Sequence, residues 1–251
     1  MSQEAAFCSL EVVSRASYLV HVPLLRRVRW KRPARSVPLT SWRASSLWRA
    51  SPITLAILLG GLWLLGVGHA LLVVSSLGVS PWTVLAQGVA RQAGIGIGWA
   101  TFLVSAVVLV LWIPLRERPG LGTLSNAVVA ALALGVTVPL LPTPSALPWQ
   151  LSEVVAGIAT IGVGSALYLT TGLGPGPRDG WMTGLHRRTG LPVGVVRSGI
   201  ELVVLAVGWS LGGVIGVGTL LFALFIGPAV GYGLSFAEGL GGVDRRPRVT
   251  H

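Results

Sequence analysis

Between Arg118 and Glu153 the chain runs for 34 residues without a charged side chain. About 20 helical residues cross the roughly 30 Å hydrocarbon layer of a bilayer, so a run of this kind reads as membrane-embedded. Five further stretches qualify, and the sequence predicts six spans: Pro52 to Ser76, Ile97 to Leu115, Gly122 to Leu141, Leu151 to Thr171, Pro192 to Leu211 and Gly218 to Phe236. Pro142, Pro144 and Pro148 break the charge-free run after one span and leave an external Pro-rich linker over residues 142–150. Only 11% of the 251 residues are charged, against about 25% in soluble domains. The expected class is an all-α, polytopic membrane protein.

Residues 1–50 differ in kind. They hold nine bases against Glu4 and Glu11, a polybasic tail expected to be disordered and cytoplasmic and able to attract anionic lipid. Acids precede the short apolar run, which ends in arginines, so no signal peptide is expected. The net charge of +11 stems more from scarce acids than from abundant bases, which argues against nucleic acid as a partner. With the tail inside, Arg116, Arg118, Arg178, Arg187, Arg188, Arg245, Arg246 and Arg248 fall on the cytoplasmic side, and Arg91 alone on the other. That bias predicts both termini inside.

The chain also repeats itself. Residues 66–135 align with 162–231 at a constant offset of 96, with about a third of positions identical, which marks a duplicated unit. Gly66-Val67-Gly68 meets Gly162-Val163-Gly164; Gly78 and Pro81 meet Gly174 and Pro177; Gly88 and Arg91 meet Gly184 and Arg187; Gly122-Thr123-Leu124 meets Gly218-Thr219-Leu220. The repeats occupy residues 51–141 and 151–237, followed by a tail at 238–251. Three spans per unit is an odd number, so the second unit enters from the opposite face and the two form inverted-topology repeats. The segments Pro81 to Gly94 and Pro177 to Gly190 are read as short interfacial or re-entrant helices. If each crossed the bilayer, the units would be parallel.

The run Gly172-Leu173-Gly174-Pro175-Gly176-Pro177-Arg178-Asp179-Gly180, with His186-Arg187-Arg188-Thr189-Gly190 and Val196-Arg197-Ser198-Gly199-Ile200-Glu201, resembles the bacterial YczE/YitT-like integral membrane proteins. Leu77-Gly78-Val79-Ser80-Pro81-Trp82 is similar to the same family's proline-tryptophan segment. The resemblance implies a multi-pass protein of the cytoplasmic membrane with no established activity. Where relatives look to carry an aspartate after that tryptophan, this chain has Thr83, aligned with Asp179.

Few residues invite chemistry. Arg197 and Glu201 fall inside the fifth span at i, i+4, on one helix face, and charge in hydrocarbon is costly enough to demand a partner. They are either solute contacts or a structural pair. His69, in the first span, lines the pore or bonds a neighbouring helix. Arg178, Asp179, Arg187 and Arg188 form a candidate anion or gating segment, because a Gly/Pro break followed by a helix start can hold an anion; the alternative is a capping aspartate at the cytoplasmic boundary. The histidines lack metal-ligand spacing and the single Cys8 lies in the tail, so neither a metal nor a cofactor is expected. Small-xxx-small spacings such as Gly94/Gly98 and Gly227/Gly231 suit close helix packing and leave a homo-oligomer open. Nothing converges as an enzyme site would. Inverted repeats recur in secondary transporters, which favours passage of a small solute. The alternative is a non-transporting accessory or regulatory membrane protein.

Overall fold

Ser51 precedes the first long helix and caps it: its hydroxyl accepts from the Thr54 amide at 3.2 Å. Pro52 takes the first helical position, where a missing N–H is harmless. The same Ser-Pro device opens the next helix, with Ser80 accepting from Thr83 at 3.4 Å. The computed structural model of the chain describes residues 37–191 and 193–241. In order these give α1 (Pro52–Val74), α2 (Pro81–Ala93), α3 (Ile97–Val110), α4 (Trp112–Leu115) and α5 (Leu121–Ser125). A π-helical turn (Asn126–Ala130), α6 (Ala131–Thr137) and a 3-10 turn (Val138–Leu140) continue α5. Then come α7 (Leu147–Thr170), α8 (Pro177–Thr189), α9 (Val193–Ser210) and α10 (Val217–Gly241).

Five helical stretches are long and apolar enough to cross a membrane: Pro52–Val74, Ile97–Leu115, Leu121–Leu140, Leu147–Thr170 and Val217–Gly241. The sixth expected span falls on α9, whose described apolar portion, Gly199–Ser210, is shorter. The expected linker is shorter too. Pro148 does not end a loop but sits in the first turn of α7, where proline is tolerated, so the helix begins at Leu147 and not at Leu151.

Helices 96 residues apart match. Pro81, Ile97 and Leu121 open α2, α3 and α5, while Pro177, Val193 and Val217 open α8, α9 and α10. The equivalent long helices α1 and α7 pack antiparallel: Gly61 lies against Leu167 and Tyr168, Gly68 against Gly157 and Ile161. A Cβ on Gly68 would come within 2.6 Å of Ile161 Cγ1, so glycine is what brings these two backbones together, as membrane helix packing favours. Gly66 meets Ala133 as its equivalent Gly162 meets Ala229.

The halves also exchange connections. Gly218 N–H donates to the Leu77 carbonyl at 2.7 Å, and the equivalent Gly122 N–H donates to the Leu173 carbonyl at 2.9 Å. Gly78 and Gly174 turn the chain at φ +115° and +114°, a region open to glycine and strained for other residues. A Cβ there would strike Thr219 Oγ1 at 2.6 Å and Thr123 Oγ1 at 2.8 Å respectively. The backbone of Val84 and Leu85 in α2 abuts Gly208 of α9, while at the equivalent place on the other side Gly180 of α8 lies against the ring of Trp112.

The part of the expected tail that falls within the described residues is docked, which corrects the reading of residues 1–50 as wholly disordered; the remainder lies outside them. Thr40 Oγ1 donates to the Thr170 carbonyl at 3.1 Å, Trp42 Nε1 to Thr170 Oγ1 at 3.2 Å, and the Ala44 amide to the Thr171 carbonyl at 2.8 Å. Ser41 N–H donates to Gly241 O at 2.8 Å. Residues 40–44 therefore tie the ends of α7 and α10 to the start of α1, where Thr54 Oγ1 donates to Trp42 O at 2.8 Å.

Candidate functional site

The break after α1 and the break after α7 each turn the chain back into the molecule, so the starts of α2 and α8 meet at its centre. Trp82 and Trp181 contact edge to face at 6.2 Å, and the Arg178 guanidinium lies over the Trp82 ring at 5.3 Å. From there α2 runs to Arg91, which bonds the Gly212 carbonyl, and α8 runs the other way to Arg188, which bonds the Pro114 carbonyl.

A cavity of about 220 Å³ opens where these starts meet. It is lined from both halves at equivalent positions: Leu65 and Ile161, His69 and Ser165, Pro81 and Pro177, Trp82 and Arg178, Thr83 and Asp179, Ser105 and Glu201, Asn126 and Phe222. The lining is thus symmetric in position and asymmetric in chemistry. The second half supplies Arg178, Asp179 and Glu201; the first supplies neutral hydrogen-bonding groups.

On the first-half wall, the Ser80 and Thr83 hydroxyls are 2.8 Å apart, and Thr83 Oγ1 lies 3.4 Å from His69 Nδ1. His69 also stands 6.3 Å, centroid to centroid, from Phe222. Asn126 opens the π-helical turn, an irregularity frequent at functional sites. On the second-half wall, the Tyr168 hydroxyl donates to Asp179 Oδ2 at 2.9 Å. Arg178 interacts electrostatically with both Asp179 and Glu201. Trp112 Nε1 donates to the Pro177 carbonyl at 2.8 Å and fixes the start of α8.

Of the residues singled out in the sequence, His69, Arg178, Asp179 and Glu201 come together in this cavity. Arg188 does not; it lies at the opposite end of α8. The side chains of Arg187 and Arg197 lie outside the described residues. Arg178 is therefore an interior residue, not a boundary marker, because the Gly172 to Gly176 break carries it inward. Tyr168, Trp82, Thr83, Ser80 and Thr101 also belong to the site. Alignment with Arg178 and Asp179 could have found Trp82 and Thr83; nothing in the apolar run around Tyr168 singles it out. Among the described residues no three His, Cys, Asp or Glu side chains converge as a metal site would need.

Residues 53–234 match the family described as "Family of unknown function (DUF6198)". The chain is 49% identical over 210 residues to an uncharacterized protein of Haemophilus influenzae, covering 84% of this chain and 96% of the relative. It is 32% identical over 169 residues to the uncharacterized membrane protein YczE of Bacillus subtilis, covering 66% of this chain and 79% of that one. A third relative, the uncharacterized protein YyaS of Bacillus subtilis, is 29% identical over 168 residues, 64% of this chain and 82% of its own length. No solved structure matches.

Proposed function

The chain belongs to the DUF6198 family of multi-pass membrane proteins, and from that premise we propose that it carries a small solute across the bacterial cytoplasmic membrane. The observation behind this is the central cavity: polar and charged groups from equivalent positions of both halves meet inside a shell of apolar helices. Burying such groups in a membrane is expensive, and they concentrate on solute and ion pathways. Two short helices pointing their starts at one point between the halves match the broken helices around which carriers bind solute.

The antiparallel packing of α1 on α7, equivalent in sequence, supports two inverted three-span halves with α9 as the sixth crossing. Residues 40–44 lie beside Gly241, and Leu121 N–H donates to Leu47 O at 2.9 Å. The bases Arg43, Arg49, Arg116, Arg118 and Arg188 thereby share one face, which supports a cytoplasmic assignment for that face and for both termini. The basic residues before 37 would meet anionic lipid there.

Ser165→Cys in a Cys8→Ser background tests the carrier. A membrane-impermeant thiol reagent is expected to modify it in vesicles, from whichever face the cavity opens to. Failure from both faces, while exposed Arg188→Cys and Gln92→Cys react, would overturn the carrier and favour the accessory role.

A further inference from the structure

Thr101 lies in α3, is 8% exposed, and lines the central cavity. Its Oγ1 is buried and has no hydrogen-bond partner. Helical threonines commonly return their hydroxyl to a carbonyl of the preceding turn. Here Thr160, Thr170, Thr171 and Thr189 do so, to Ala156, Leu167, Tyr168 and Leu185, at 2.6 to 2.9 Å. Thr101 keeps its hydroxyl unspent on a wall of the cavity, where a polar group without a partner is unfavourable.

Around the same cavity the charged side chains are segregated: one cation and two carboxylates, Arg178, Asp179 and Glu201, all stand on the second-half wall. The starts of α2 and α8 both open on it, and helix starts carry partial positive charge. Arg178 adds a full one. The carboxylates nearby are engaged: Asp179 accepts from Tyr168 and, with Glu201, interacts with Arg178. At the positions equivalent to those two acids the first half has Thr83 and Ser105, so the wall that bears Thr101 carries no carboxylate to repel an anion.

We propose that Thr101 is a specificity-determining contact residue whose hydroxyl donates to an oxygen of a small water-soluble anion held between the starts of α2 and α8. This rests on the cavity being a solute site. Two measurements on the full chain test it. Thr101→Val, which keeps shape and removes the hydroxyl, is expected to leave the thermal midpoint of the purified protein unchanged or raised; a clear fall would make the hydroxyl structural and overturn the proposal.

Thr101→Cys, in a Cys8→Ser background, is then treated in membrane vesicles with methanethiosulfonates bearing either a sulfonate or a trimethylammonium group. Their rate ratio is normalised to exposed Trp149→Cys. The sulfonate reagent is expected to be favoured about tenfold, the low end of what a charged cleft does to local ion concentration. Equal rates, or preference for the cation, would overturn the anion assignment and leave the carrier standing. No reaction with either reagent would overturn both.

Discussion

Tyr168 of α7 donates its hydroxyl to Oδ2 of Asp179, at 2.9 Å, across the break that separates α7 from α8. Tyr168 is 5% exposed, so its ring is packed while its one polar atom reaches the cavity. This bond fixes the first turn of α8 against the helix that precedes it. Removing it with Tyr168→Phe leaves the part-buried Asp179 carboxylate one donor short, at a cost on the order of 1 kcal/mol. The thermal midpoint in detergent is expected to fall. Tyr232→Phe, at an exposed tyrosine of α10, serves as the control and leaves the midpoint in place.

Gly180 has no room to grow, because the Trp112 ring occupies the space a Cβ would take. Gly180→Ala must displace that ring and with it the bond from Trp112 Nε1 to the Pro177 carbonyl. Overpacking of this kind costs about 1–3 kcal/mol. Gly60→Ala, with nothing within 4 Å of the added carbon, is expected to be neutral or stabilising. Yield of monodisperse protein after extraction, compared between the two variants, checks the difference.

Trp42 is 8% exposed and its ring lies against Gly241. Truncation to alanine is expected to lower stability by about 3–5 kcal/mol, as for other buried tryptophans. Trp42→Phe retains most of the burial and gives up the 3.2 Å bond to Thr170 Oγ1, for a loss of about 1 kcal/mol. Equal losses in the two variants, read from thermal midpoints, would show that packing at this position matters less than the hydrogen bond.

Gln92 and Arg188 lie 96 residues apart in sequence and are exposed at the far ends of α2 and α8. Single cysteines at these positions, in a Cys8→Ser background, are expected to react with impermeant reagent from opposite faces of sealed vesicles. Labelling from the same face would dismantle the inverted arrangement.

Much of this architecture is legible in the sequence, for physical reasons. Charge-free runs report an apolar surrounding directly, so five helices long and apolar enough to cross a membrane lie close to where hydropathy puts them. The exposed or weakly covered outer faces of these helices need no special partner. The 96-residue offset carries through to helix starts because Pro81/Pro177 and Gly78/Gly174 are backbone requirements, visible as residue types. The cavity was only half legible. His69 and Glu201 stand out as polar residues in apolar surroundings, whereas Tyr168 and Thr101 look ordinary until a neighbour is supplied. Arg178 reads as a boundary residue because a charged segment between two spans normally returns to water; here the Gly172 turn sends it back inside. Residues 40–44 lack periodicity, and their place is set by contacts with Thr54, Thr170, Thr171 and Gly241 that no sequence pattern announces.

Gly208 aligns with Trp112, yet the two close their contacts differently: Gly208 lies against the backbone of Val84 and Leu85, whereas Trp112 lays its ring on Gly180. An indole at 208 would collide with main chain, and a glycine at 112 would leave a ring-sized hole beside Gly180. The two contacts, alike in position, are not interchangeable.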